Sequence, residues 1–253
     1  MPPWQTPAIV LSVKPYGEAD LLVDFLTPTQ GRLTGMAKHA LKSRRRFANC
    51  LEPLNRVTFF LGPRRGELEF LQKAELLDSF PTLRRDLKRL GAAAVLAELA
   101  GLLAAPPETV GTIFQTMEEA LRLLDQGQAP PDSLLPPFLL RLLTLGGYGP
   151  RLAACLSCGR EPEGPVYFSI PRGGIFCTSC RGEAAGPILA LTPGTWKSLR
   201  LAQGMALDKL SRLRLLEFQR NESLALFRAF LRHHLGRDLK AWGFWEKVSC
   251  KVD

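Results

Sequence analysis

Over the first 80 residues, apolar side chains come in short runs broken by turn residues. Residues 8–13 and 20–26 are apolar runs parted by Pro15-Tyr16-Gly17, and residues 32–37 follow the turn Pro28-Thr29-Gln30-Gly31. Residues 57–61 lead into Gly62-Pro63-Arg64-Arg65-Gly66, and residues 67–77 alternate before running apolar. Runs of this length, rich in Val, Phe, Leu and Thr and bounded by Gly and Pro, read as strands. Five of them in so short a segment predict a small closed barrel, a pattern that suits an SH3-like barrel as well as other five-stranded barrels.

After Pro81 the period changes. Leu83, Leu87, Leu90, Ala94 and Ala97 recur at helical spacing, with Arg84, Arg85, Lys88 and Arg89 on the other side. The longest apolar stretch, 91–105, is interrupted by Glu98 and ends at Pro106-Pro107, which suits a buried helix and is too short to span a bilayer. Residues 109–124 and 133–145 read as further helices parted by a Gly and Pro breaker at 127–131. Thr192-Pro193 is a cap followed by a first-turn proline, opening a helix to about Ala202. A long helix over 217–235 ends at Gly236, with Phe218, Leu224, Phe227, Phe230 and Leu231 as its core stripe.

Between the two helical stretches stand Cys155-Leu156-Ser157-Cys158 and Cys177-Thr178-Ser179-Cys180. Two CxxC knuckles at this separation match a closed tetrathiolate zinc site, each knuckle aiming two thiolates at one ion. Four sulfurs leave no position for water, so such a zinc is structural. Gly159 and Gly182 offer backbone freedom where the knuckles turn back. Two disulfides or a redox pair are the alternatives. The first needs an oxidising compartment, and the N-terminus does not read as an export signal; the second does not require a second copy. A cytoplasmic protein is therefore expected, with Cys50 and Cys250 as free thiols.

The formal charge of +9 in 253 residues matters through its placement. Residues 31–65 hold nine basic side chains against Glu52 alone, whereas residues 81–150 are close to neutral. Lys38, Lys42, Arg44, Arg45 and Arg46 crowd one predicted inter-strand loop beside His39, and Phe47 follows at once. This suits phosphate contact with base stacking, and Arg32, Arg64 and Arg65 could extend the patch. A second basic group, Arg228, Arg232, Arg237 and Lys240, lies near the C-terminus, with Arg228 and Arg232 on one helix face. Part of it suits the cation preference of a helix end. The adjacent His233 and His234 face different ways, which argues against a shared metal. There is no HExxH, GxSxG or phosphate-loop spacing, and the pairs Asp20/Asp24 and Glu67/Glu69 lack the surroundings of a metal nuclease.

In their order, these parts resemble the bacterial RecO family of recombination and repair mediators. The resemblance rests on Gly17-Glu18-Ala19-Asp20, on the stretch from Leu26-Thr27-Pro28-Thr29 to Gln30-Gly31-Arg32-Leu33, on Ala37-Lys38 with the basic loop, and on Leu51-Glu52-Pro53-Leu54. It continues in Leu145-Gly146-Gly147-Tyr148-Gly149-Pro150 leading to the first knuckle, and in His234-Leu235-Gly236-Arg237-Asp238-Leu239-Lys240. The chain departs at Lys38-His39, where a glycine commonly follows the lysine. Many relatives lack the four cysteines, which would make zinc a subgroup's scaffold.

The resemblance implies an α+β multidomain protein: an N-terminal five-stranded OB-fold barrel (1–80) and a helical domain (81–150 and 187–253) with an inserted four-cysteine zinc module (151–186). It further implies a non-enzymatic protein that binds single- and double-stranded DNA and anneals complementary strands. RecR and single-stranded DNA-binding protein are its implied partners in loading RecA, with no membrane and no small-molecule substrate. The C-terminal basic group would serve as a second DNA site or receive the acidic tail of the single-stranded DNA-binding protein. A basic zinc-containing RNA-binding protein and a metal-dependent nuclease are the rival readings.

Overall fold

The computed structural model describes residues 3–66, 68–104 and 107–249, without the side chains of Arg64, Arg65 and Pro107. The chain divides into two compact units, Met1–Gln126 and Gly127–Asp253. The division falls at the start of the predicted breaker, inside the segment 81–150 read as one helical part.

In the first unit β1 (Trp4–Tyr16), β2 (Asp20–Thr27), β3 (Gly31–Ala37), β4 (Arg56–Arg65) and β5 (Leu68–Asp78) close a barrel in the order β1-β2-β3-β5-β4. All pairs are antiparallel except β3 with β5. A five-stranded barrel of this order is an OB fold, which decides between the barrel types that the hydrophobic pattern left open. Alternate residues point inward, so Val23, Phe25, Val57, Phe59, Leu61 and Leu71 fill the interior, with the Phe25 and Phe59 rings 4.7 Å apart.

The turn between β2 and β3 is tight for a definite reason. Gly31 has φ +69, and a Cβ there would stand 2.4 Å from the Ala104 carbonyl oxygen. Gly31→Ala is thus expected to cost about 2–4 kcal/mol, from left-handed strain and a backbone clash together, read as a lowered denaturant midpoint.

Two helices complete this unit, α1 (Leu87–Leu103) and α2 (Pro107–Gln126). Asp86 caps α1 by accepting from the backbone N–H groups of Lys88 (2.8 Å) and Arg89 (3.2 Å). The helix therefore starts later than the periodicity from Leu83 suggests. Leu83 is buried in a short 3-10 turn, and Leu87, assigned to the apolar face, is 61% exposed in the first turn of α1. Of the four cations set on the other side only Arg85 is exposed, and Arg84 is half-buried. Its guanidinium donates to the carbonyls of Ser79 and Pro53 and to Asn55 Oδ1, each at 2.7 Å, tying the lead-in of α1 to the barrel.

The second unit holds α3 (Pro131–Leu145), a three-stranded sheet of β6 (Val166–Ser169), β7 (Gly174–Phe176) and β8 (Ile188–Leu191), then α4 (Pro193–Gly204), α5 (Glu217–Leu235) and α6 (Lys240–Ser249). Thr192 caps α4 ahead of Pro193, and Gly236 ends α5 at φ +68, both as the residue types dictate. The stripe of α5 is shifted from the expected one. Leu226, Phe227, Phe230 and Leu231 are buried, whereas Phe218 is 47% exposed and Leu224 half-buried. Helix α6 was not expected, although Trp242, Trp245 and Val248 recur every third residue and are the side chains it buries. Among the described residues no helix is long and apolar enough to cross a membrane.

Candidate nucleic-acid interface and metal centre

The basic loop leaves β3 at Ala37 and is fixed to the barrel at both ends. Lys38 is exposed, and His39 adopts a left-handed backbone (φ +55), its N–H held by Asp20 Oδ1 at 2.8 Å. This conformation is the one glycine adopts most freely, and here a polar residue takes it. A 3-10 turn over Ala40–Lys42 follows, with Leu41 N–H donating to the Ala19 carbonyl at 3.1 Å, so the loop lies beside the β1–β2 turn. Farther on, the Arg46 carbonyl accepts from Ala74 N–H of β5 at 2.8 Å, and the Arg46 guanidinium donates to the Lys38 carbonyl at 2.7 Å. A loop tied at both ends presents its charges without a large ordering cost on binding.

The five loop cations are all exposed, and Lys38, Lys42, Arg44 and Arg45 make no ion pair among the described residues. Arg32 is placed differently. It pairs with Asp24 at 3.0 Å on the outer barrel face, where Thr34 (2.6 Å) and Ser12 (2.9 Å) also donate to that carboxylate. Burial pushes the Asp24 carboxyl up, but the donors from Thr34 and Ser12 and the Arg32 charge outweigh it and hold it below its ordinary value. Asp24 is thus ionised at neutral pH and offsets Arg32. Arg64 and Arg65 stand at the end of β4, with their side chains outside the described residues.

Phe47 requires a correction. Expected to stack on bases, it is only 4% exposed and packs in the barrel core with Phe59 and Leu71, capped by Arg46 at 5.2 Å from its ring centroid. An aromatic next to a basic run reads alike whether it faces solvent or plugs the barrel, and here the loop folds back to bury it. Cys50 is likewise buried as a free thiol beneath the loop, its pKa pushed up by that burial, and Cys250 lies outside the described residues.

Cys155, Cys158, Cys177 and Cys180 converge, all four sulfurs within 4.8 Å of one another and Cys158 Sγ 3.9 Å from Cys177 Sγ. A tetrahedral ion with arms of ~2.3 Å spaces its sulfurs by about 3.8 Å, so the donor set fits one metal. None of the four is in a disulfide. The first knuckle turns through Gly159 (φ +71), whose N–H donates to the Cys155 carbonyl at 3.0 Å. Gly182 does not play the matching part, because the second knuckle is a 3-10 turn over Thr178–Glu183. Burial pushes the Cys155 thiol up, but N–H donors from Cys158, Cys177 and Ser157 prevail and hold it at about 6. Cys180 is drawn down by Ser157, but its thiol neighbours, Cys177 foremost, push it up to about 11. A cation at the centre relieves that crowding, since every thiolate then gains an opposite charge.

The cysteine cluster is braced from outside. Trp196 of α4 donates to the Gly164 carbonyl at 3.2 Å, Phe168 of β6 meets Phe230 of α5 edge-on, and His234 bonds the Ile170 carbonyl at 3.1 Å.

The second basic group is only partly assembled. Arg228 and Arg232 share one face of α5 and line a groove of about 970 Å³, whose apolar lining includes Leu224, Ala225, Ala229 and Trp242. Arg228 pairs with Glu246 and, at 3.8 Å, with Asp238; Arg232 reaches Asp238 at 4.0 Å. Arg237 and Lys240 are exposed nearby and do not line the groove.

Comparison with known proteins decides the lineage. The model of the family described as Recombination protein O N terminal matches residues 1–80, and that of Recombination protein O C terminal matches residues 84–243. The chain belongs to the RecO family. Its similarity to individual members spans nearly the whole length of both chains. It is 32% identical to the DNA repair protein RecO of Syntrophus aciditrophicus over 97% of this chain and 96% of that one. The figure is 33% for the DNA repair protein RecO of Pelotomaculum thermopropionicum (97% and 94% covered) and 35% for that of Myxococcus xanthus (96% of each).

Proposed function

We propose that this chain is a DNA repair and recombination mediator of the bacterial cytoplasm. It binds single- and double-stranded DNA through the loop at 38–46, anneals complementary strands, and with RecR helps RecA load onto strands coated by single-stranded DNA-binding protein. Family membership supports the role. The observation that carries the DNA-binding part is the set of exposed, unpaired cations on a loop fastened to an OB barrel, where phosphate contact needs no rearrangement. The four cysteines hold one structural zinc. The groove on α5 receives an acidic protein tail, whose carboxylates exchange with Glu246 and Asp238 on Arg228 and Arg232 above an apolar floor.

The test is annealing of complementary oligonucleotides, bare and coated with single-stranded DNA-binding protein, with the purified chain. Wild type is expected to accelerate both. Replacing Arg228 and Arg232 with Glu should slow annealing of coated strands severalfold and leave bare oligonucleotide binding nearly intact. Equal loss in both assays would mean one shared DNA site or a folding defect. Preference for structured RNA over DNA, or cleavage of labelled DNA with Mg²⁺ or Mn²⁺, would overturn the mediator reading.

A further inference from the structure

Phe47 is buried, and the aromatic surface near the basic loop lies instead on the outer wall of the barrel. Register fixes which side chains lie there. Val13 and Val23 in one row, and Leu21 and Ala37 in the next, face the core, so the intervening positions face outward: Lys14 opposite Leu22, Leu22 opposite Met36, and Tyr16 opposite Asp20. Tyr16, Leu22 and Met36 thereby form a diagonal apolar stripe across three strands, with Tyr16 52% exposed at its upper end. Lys14 and Lys38 flank it, and Asp20 and Asp24 on the same wall are engaged by the His39 N–H and by Ser12, Thr34 and Arg32.

Tyr16 is exposed near Lys14 and Lys38 and has no side-chain hydrogen bond or ring partner among the described residues, so its ring is free to meet a ligand. Its π-face and the adjacent cations match an unpaired nucleotide, which needs a stacking surface and a phosphate contact together. The stripe crosses β1, β2 and β3, part of the wall with which OB folds meet oligonucleotides. We infer that Tyr16 stacks on a base of single-stranded DNA, so that the strand crosses the outer face of β1–β3 while its phosphates meet Lys14, Lys38 and the loop. This rests on the DNA-binding reading above and adds to it a base contact, which duplex DNA, with its bases already stacked, cannot make.

The test compares the full chain with Tyr16→Ala and Tyr16→Phe, binding oligothymidine, an abasic strand of equal length and a duplex. Tyr16→Ala is expected to bind oligothymidine roughly tenfold more weakly, with unchanged salt slope, and to bind the abasic strand and the duplex as wild type does. Tyr16→Phe should match wild type on all three. Undiminished oligothymidine binding by Tyr16→Ala would overturn the inference while leaving the loop reading in place. So would an equal loss on all three ligands, which marks a phosphate contact or a fold defect. Failure of wild type to bind any of them would bring down the DNA-binding reading itself.

Discussion

Replacing Arg44 and Arg45 together with Ala is expected to flatten the slope of log affinity against log salt by roughly two units, just under one for each phosphate no longer neutralised. Both side chains are exposed, neither makes an ion pair among the described residues, and neither belongs to the bonds that fasten the loop. Their removal should therefore leave the unfolding midpoint unchanged while affinity at low salt falls by orders of magnitude. Sequence preference should change little, since phosphate contacts position a strand without reading it. Arg46→Ala would be a poorer probe. That guanidinium holds the Lys38 carbonyl and covers Phe47, so its loss loosens the loop as well as removing a charge. An unchanged salt slope in the Arg44/Arg45 double variant would make the loop a solubilising surface and move the interface elsewhere.

What the sequence disclosed follows from how local each cause is. The barrel strands were legible because alternation and turn residues are written within a few positions, and the cysteine knuckles because ligand spacing is itself the signal. The closing order β1-β2-β3-β5-β4 was not, since strand pairing across the chain leaves no local mark; the barrel type came only from family resemblance. Phe47 and Tyr16 show the same limit at the site. Both are single aromatics beside lysines or arginines, and only the fold places one in the core and the other on the outer wall. Arg32 was counted with the free cations because its partner Asp24 lies on the neighbouring strand, eight residues away, where only register brings them together. His39 shows the converse case. The departure from glycine was visible in the sequence, and the structure supplies its meaning, a left-handed backbone tolerated by a polar residue. Helix α6 could have been read from Trp242, Trp245 and Val248, but a short element behind a turn gives periodicity few positions to declare itself.

Removing one sulfur ligand should have the largest effect on stability. The purified protein is expected to carry about one zinc, and Cys158→Ser to lose it. Cys158 is the exposed member of the four, so the substitution deletes a ligand without opening a cavity. Cys155, only 2% exposed, would not separate those effects. Without the ion, little other than the three short strands holds the knuckles, and their loss reaches α4 through Trp196 and α5 through Phe230 and His234. Unfolding of the second unit should shift down by several kcal/mol, as losing a structural metal entails, and added chelator should reproduce this in the wild type. Loading at pH 7 should release protons, Cys180 contributing because its thiol neighbours hold it up at about 11. Affinity therefore falls on acidification, the more so once pH drops below about 6, where Cys155 also takes up a proton. The barrel has its own core within Met1–Gln126, so salt-dependent DNA binding should survive the substitution. Elemental analysis, calorimetry, zinc titration at several pH values and a DNA-binding titration check these outcomes. A metal-free wild type with the four thiols paired as disulfides would refute the zinc assignment.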